Sequence, residues 1–398
     1  MRSARWQSEN ATPPPRRLVV ADDTMDADTA YRLACEGTGL LWRGDFQNAR
    51  QLLQALARRI DRPARRPRKA AGAGPVEAAA VSPRDGFNRY RLAKSQRARL
   101  LGMLVLPLAA DYSMALRRAP DWRQACTDAY GPAPAADAVA PDEGGSLVAL
   151  RELLGVVGAH EWRKKGVEIP ALGPAPSNRI HPHYGVFSPV RGEYLDLVAN
   201  TPWPGALRAP DPPDFDGLVF DIGTGTGVLA ALLARRGASR IVATDLDPRA
   251  LACARENIER LGCAERVQVI EADLFPPLSR FGKAMLIVCN PPWLPARPSS
   301  RLEQAVYDPD SRMLRGFLAG LAGHLAPGGE GWLILSDLAE HLGLRQRDEV
   351  LTLIEGAGLT LLGRTGVRPQ HPKAMDPNDA LFAARSAEVT SLWRLAAR

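Results

Sequence analysis

The spacing of apolar residues changes character about half-way along the chain. In the first half, Ala30, Leu33, Leu40, Leu41, Ala49, Leu52, Leu53, Leu56 and Ile60 recur at helical spacing, which predicts two short helices over 27–59, interrupted near Gly37 and Gly39. Asp26 stands where a helix N-cap belongs. Leu92, Leu100, Leu101, Leu104 and Leu106 predict a second helical block over 88–118, and a third helix is expected over 146–165. Further on, segments rich in Val, Ile and Leu (218–222, 241–245, 267–271, 285–289, 331–336) alternate with helical stretches (228–236, 248–261, 313–325, 345–357). Strand-helix alternation of this kind predicts an α/β fold with a mostly parallel sheet covered on both faces.

The low-apolar stretches divide the chain. Residues 1–25, with three consecutive prolines, read as a flexible tail; 26–165 read as a helical accessory domain suited to docking a substrate, with linkers at 61–85 and 131–145. Residues 166–200 read as a connecting segment and 201–398 as the α/β domain. No run of about 18 apolar residues occurs, and the first 30 residues are dotted with charge, so a cytoplasmic location is expected. Five cysteines without C-x-x-C spacing imply buried thiols rather than a disulfide framework or zinc site.

Candidate chemistry begins with Asp221-Ile-Gly223-Thr224-Gly225-Thr-Gly227, which follows a strand and opens a helix. Glycines there let the backbone approach a ligand while helix amides face it; alone, such a loop can equally be a tight turn. A dinucleotide fingerprint would place glycine at position 228, where this chain has Val228. Asp221 would repel a pyrophosphate and suits an ammonium group, so S-adenosyl-L-methionine is the expected cofactor. Asp245, at the end of the next strand and followed by Leu246, is the expected ribose ligand. Asp247, just before Pro248, reads as an N-cap. Asp273 could reach an adenine amino group, with Leu274 or Phe275 packed on the ring.

The segment Asn290-Pro291-Pro292-Trp293 ends another predicted strand. Proline removes competing amide donors, so a side-chain and a backbone carbonyl can together accept both protons of a planar NH2, while an aromatic stacks on the flat acceptor. These four residues are the candidate catalytic group.

Together the Asp-Ile-Gly-Thr-Gly-Thr-Gly loop, Thr-Asp-Leu-Asp, Ala-Asp-Leu-Phe and Asn-Pro-Pro-Trp resemble the class I methyltransferases of the "small domain" group, over about residues 180–398. That group includes release-factor glutamine methyltransferases and the guanine- and adenine-amino methyltransferases of nucleic acids. The resemblance implies a Rossmann-like, mostly parallel sheet with one antiparallel strand near the C-terminus, a lid within 166–200, a catalytic domain over 201–398, and binding of the nitrogen to be methylated by Asn290 to Trp293. It also places Phe187, Arg191 and Glu193 near the cofactor. Two departures stand out: Trp293 occupies a position usually Tyr or Phe, and 181–194 lacks the Arg-x-x-Thr-Glu spelling of the glutamine enzymes.

The implied acceptor is macromolecular, either RNA, including ribosomal RNA, or DNA, or a protein such as a release factor. A net charge of +7 and the arginines of 61–69 lean toward nucleic acid, a compact accessory domain toward a protein. A catalytically inactive protein that binds S-adenosylmethionine or a nucleotide is the alternative from another class. His181-Pro-His183 lacks a third ligand at metal spacing, so no metal is expected. Arg297, Arg301, Tyr307, Asp308 and Asp310 follow the Asn-Pro-Pro loop, where substrate contacts or solvated loop residues are equally expected.

Overall fold

The computed structural model describes residues 4–62, 82–134, 145–190, 192–205, 215–370 and 374–398. They divide into two compact units, Met1–His160 and Glu161–Arg398.

The first unit is a sheet with helices, not a helical domain. Strands β1 (Arg5–Gln7), β2 (Arg17–Ala21), β3 (Thr38–Trp42), β4 (Leu104–Leu108) and β5 (Ser146–Ala149) lie in the order β1-β5-β4-β3-β2. Only the β4–β5 pairing is antiparallel. The expected tail therefore carries two strands within residues 4–25. The predicted block over 88–118 ends as a helix at Leu101 and continues as β4; the one over 146–165 begins as β5, its helix starting at Leu150. The reason is packing: Leu104-Val-Leu and Leu40-Leu-Trp42 are short continuous apolar runs, which suit a strand buried on both faces as well as they suit a helix face. Leu40, Trp42, Leu104 and Leu106 are all buried. Asp26 does cap helix Ala27–Cys35, accepting from the amides of Asp28 and Thr29. The expected linkers fall largely on 63–81 and 135–144, outside the described residues.

The second unit holds a small antiparallel pair, β6 (Val167–Glu168) and β7 (Arg179–Ile180), and a seven-stranded sheet. The latter consists of β8 (Phe215–Ile222), β9 (Ala238–Asp245), β10 (Val267–Glu271), β11 (Ala284–Cys289), β12 (Leu325–Ser336), β13 (Leu359–Val367) and β14 (Thr390–Ala397). The order is β10-β9-β8-β11-β12-β14-β13, with β14 the antiparallel strand, as expected. Neighbouring residues on β8 enter opposite cores. Val219 joins the side covered by helices Val228–Arg235, Pro248–Arg260 and Glu193–Asn200, whereas Phe220 joins the side covered by Arg312–His324 and Glu349–Gly356. Both faces are thus buried, which is why the strands read as unbroken apolar runs.

Four cysteines are buried as expected; Cys35 is exposed. Among the described residues no helix is long and apolar enough to cross a membrane, and no cluster of His, Cys, Asp or Glu could hold a metal.

Candidate active site

Strand order reverses between β8 and β11, because β8 runs on to β9 at one side and pairs with β11 at the other. Such a switch point opens a crevice at the carboxyl ends of the strands. Register places Asp221 beside Val288 and Ile222 beside Cys289, so the glycine loop and the Asn290 loop leave the sheet side by side.

Asp221 is buried. Its Oδ2 accepts from the Thr224 hydroxyl at 2.7 Å and the Ala230 amide at 3.1 Å, while Oδ1 is buried without a hydrogen-bond partner. Burial pushes its pKa up to about 6 against those two donors. Gly223, Gly225 and Gly227 all have left-handed φ, +71°, +54° and +81°. At Gly223 a Cβ would also run into the Met313 methyl group, and at Gly227 it would sit 3.2 Å from the Ala254 backbone, so glycine is required twice over.

Asp245 ties the two neighbouring loops together, accepting from the Gly225 amide at 2.9 Å and the Asp247 amide at 3.0 Å. Burial raises its pKa as well. Asp247 is the N-cap of helix Pro248–Arg260, accepting from the Arg249 amide. Leu246 is 50% exposed. Asp273 is held in an ion pair with Arg312 at 2.6 Å. Leu274 has φ +67°, and its carbonyl accepts from the Thr244 hydroxyl at 2.6 Å. Phe275 packs against Phe317 and His324, centroids 5.9 and 4.2 Å away, so of the two residues expected on the ring it belongs to the core.

At the Asn290 loop, the Trp293 indole N–H donates to Asn290 Oδ1 at 2.9 Å. The Trp293 carbonyl accepts from Arg345 Nη2 at 3.3 Å. Asp308, also buried, accepts from the amides of Met313 and Leu314 at the start of helix Arg312–His324, and its own amide donates to the Leu294 carbonyl. Of the residues considered as substrate contacts, Asp308 is therefore engaged in holding the loop, and Tyr307 is buried beside Leu294.

Upstream, Val186 packs on Ala250 and Cys253, leaving Phe187 partly exposed, and Glu193 accepts from the Gln370 amide at 2.9 Å. Arg191 lies outside the described residues. His181 and His183 are engaged structurally: the first through Arg163 O at 2.6 Å, the second through Glu256 at 2.7 Å. Sequence reading passed over three residues that position the site. Asn257, fully buried, bonds the backbone of His181 on one side and the Thr226 carbonyl on the other. Met313 covers the glycine loop, and Arg345 braces the Trp293 loop. An amide on the apolar face of a helix was the one available signal, at Asn257.

Residues 206–346 match the family model described as "Methyltransferase small domain". This part of the chain is similar to that family. Over 179 residues the chain is 35% identical to a release factor glutamine methyltransferase of Cereibacter sphaeroides, covering 42% of this chain and 59% of that protein. It is 38% identical over 148 residues to a ribosomal protein L11 methyltransferase of Pelotomaculum thermopropionicum, covering 37% and 40% respectively. A tRNA1(Val) (adenine(37)-N6)-methyltransferase of Shewanella amazonensis is 34% identical over 152 residues, covering 35% of this chain and 64% of that one. The chain thus spans less than two thirds of the length of each of these relatives.

Proposed function

We propose that this protein is an S-adenosylmethionine-dependent methyltransferase acting on a planar nitrogen, either the exocyclic amine of a nucleic-acid base or the amide of a protein glutamine. One observation carries the reading: a buried carboxylate with an unpartnered oxygen, Asp221, ends the strand adjacent to the one that ends in Asn290-Pro291-Pro292-Trp293. A lone buried carboxylate oxygen costs free energy unless a donor reaches it, so the loop suits a ligand bearing an ammonium group. Two relatives whose names specify a glutamine or an adenine N6 acceptor support the class of nitrogen.

When bound, the cofactor supplies a methyl group made electrophilic by its sulfonium. The chain's residues do the rest. Asp221 would take the ammonium, and the three left-handed glycines would let the loop backbone pass close beside it. Asp245 retains a free lone pair on each oxygen for the ribose hydroxyls, Leu246 and Leu274 offer apolar surface to the adenine, and Asp273 lies within the same group of loops. At the acceptor loop, Asn290 Oδ1 and the Pro291 carbonyl accept the two N–H groups of the incoming nitrogen, fixing the lone pair in line for attack and stabilising the positive charge that develops. Trp293 supplies an aromatic face for the planar group. The acceptor's lone pair is delocalised and weakly nucleophilic, so positioning carries the catalysis; the sulfonium sulfur leaves as a neutral thioether and the proton shed by the methylated nitrogen passes to water.

The test is transfer of tritiated methyl from S-adenosylmethionine into an extract lacking this protein, followed by ribonuclease or protease digestion. Counts released by either enzyme and absent with Asn290→Ala support the proposal. No Asn290-dependent transfer would refute it.

A further inference from the structure

Asn257 lies on the apolar face of helix Pro248–Arg260, among the buried Ala250, Leu251, Cys253, Ala254 and Ile258, and is itself fully buried. An amide in that position costs stability unless its polar atoms find partners. Oδ1 accepts from the His181 amide at 2.8 Å, while Nδ2 donates to the His181 carbonyl at 3.3 Å and the Thr226 carbonyl at 3.1 Å. One side chain thus pairs with both backbone polar groups of His181, as a neighbouring strand would, and with the glycine loop. A slip of either segment by one residue breaks these bonds, whereas an apolar side chain of the same size would let both slide.

The same helix carries the rest of 181–187 in reverse order. The Cys253 sulfur accepts from the His183 amide at 3.4 Å, and Glu256 holds the His183 ring at 2.7 Å. Arg249 stands over the Tyr184 ring, 5.9 Å from its centroid, and Val186 packs on Ala250 and Cys253. Residue 181 therefore meets 257 and residue 186 meets 250, so the segment runs from the last turns of the helix to its first. That first turn is entered through Asp245-Leu246-Asp247, and Phe187, next in the chain, is delivered to it. The glycine loop rests on the helix as well, where a Cβ on Gly227 would sit 3.2 Å from the Ala254 backbone. Asn257 bonds both segments.

We infer that Asn257 is a positioning residue for the cofactor, locking segment 181–187 and the glycine loop into one register so that the two tighten and loosen as a unit. The carbonyl it holds, that of Thr226, follows directly on Gly225, whose amide donates to Asp245. Loss of the amide at 257 removes one of two restraints on consecutive loop residues, and with it the bonds that set where Phe187 stands. The inference rests on the methyltransferase reading for the identity of the ligand, but the register itself can be measured without methyl transfer.

Hydrogen–deuterium exchange of the full-length protein, read by mass spectrometry with and without S-adenosylmethionine, tests it. In the parent, saturating cofactor should slow exchange in 181–187 and in 223–230 together, by factors that agree to within about threefold. Without cofactor, Asn257→Ala and the size-matched Asn257→Leu should both exchange about tenfold faster in those two segments, while 284–289 and 331–336 keep the parent's rate. Calorimetry should show cofactor binding at least about tenfold weaker in both variants. Protection of the glycine loop alone in the parent, loosening of one segment without the other, or parent behaviour in Asn257→Leu would overturn the inference. Uniform loosening of the whole domain would overturn it too, since that is the mark of a merely structural residue. Should neither variant fold, the parent's exchange decides the matter. A parent that binds no S-adenosylmethionine refutes the methyltransferase reading, and the cofactor-free comparison of parent and variants then judges the register by itself.

Discussion

The indole N–H of Trp293 points at the side-chain oxygen of Asn290, 2.9 Å away, so the residue proposed to supply the aromatic face also orients the amide proposed to receive the acceptor. A phenylalanine at 293 would keep a ring but leave that oxygen without its internal donor. Trp293→Phe is therefore expected to lower turnover by about 1 kcal/mol, roughly fivefold, with cofactor affinity unchanged. Steady-state kinetics beside calorimetric cofactor titration read both quantities. A fall in cofactor affinity equal to the fall in turnover would count against this pairing.

Asp221 gives a pH dependence of definite sign. Burial raises its pKa from 3.8 to about 6, so the folded protein holds this proton more tightly than the unfolded chain does. Stability is then lost as pH rises from about 4 through 6, amounting to on the order of 3 kcal/mol above that window. In the ligand-free protein Asp221→Asn removes the penalty while its amide oxygen keeps the Thr224 and Ala230 bonds. Thermal melts should show the variant more stable at pH 7.5 and level with the parent near pH 4. Cofactor affinity should vanish in the variant. In the parent it should weaken about tenfold per pH unit below 6.

Arg345 is 5% exposed, and its Nε and Nη1 have no hydrogen-bond partner. Burial pushes its pKa down. Among the described residues its hydrogen bonds run from Nη2 to the Trp293 carbonyl and the Ser311 hydroxyl, each at 3.3 Å. An apolar side chain of similar length should be tolerated there, since removing a poorly paired buried charge is often neutral or stabilising. Arg345→Met should hold stability to within about 1 kcal/mol in urea titration, yet slow turnover roughly tenfold as the Trp293 loop loses its brace. Loss of stability and turnover together would make the residue merely structural.

Gly223→Ala combines a left-handed φ of +71° with a Cβ pressed against the Met313 methyl. Destabilisation of about 1–2 kcal/mol is expected from the backbone alone. Cofactor affinity should fall by more than the stability change accounts for, because Met313 must move over the loop. Trimming Met313 to Ala in the same chain should restore part of the stability and leave the backbone strain.

The α/β domain was readable in the sequence because its strands are separated by helices long enough to show their own period, and because Asp221, Asp245 and Asn290 each sit at the end of an apolar run. The first unit was not. In β4, Leu104 and Leu106 fit a helix face and a buried strand equally, and pairing with β3 and β5 decides between them. Residues 17–21 lie beside a proline run that suggested a tail, yet they pair in register with all of β3. In the site, Asn290 was visible by motif, whereas Arg345 and Met313 act from positions 52 residues and 90 residues away in sequence from the groups they touch, Trp293 and Gly223. Only the fold brings them together.

The central claim is that Asp221 holds the cofactor and Asn290 holds the acceptor. Calorimetric cofactor binding and tritiated methyl transfer, measured side by side on Asn290→Ala and Asp221→Ala, test it most directly. Asn290→Ala should bind S-adenosylmethionine to within about threefold of the parent while losing transfer by 100-fold or more, roughly the scale of one transition-state donor or acceptor. Asp221→Ala should lose binding itself. Full turnover by Asn290→Ala, with binding lost in Asp221→Ala, would contradict the catalytic role given to the Asn-Pro-Pro-Trp loop.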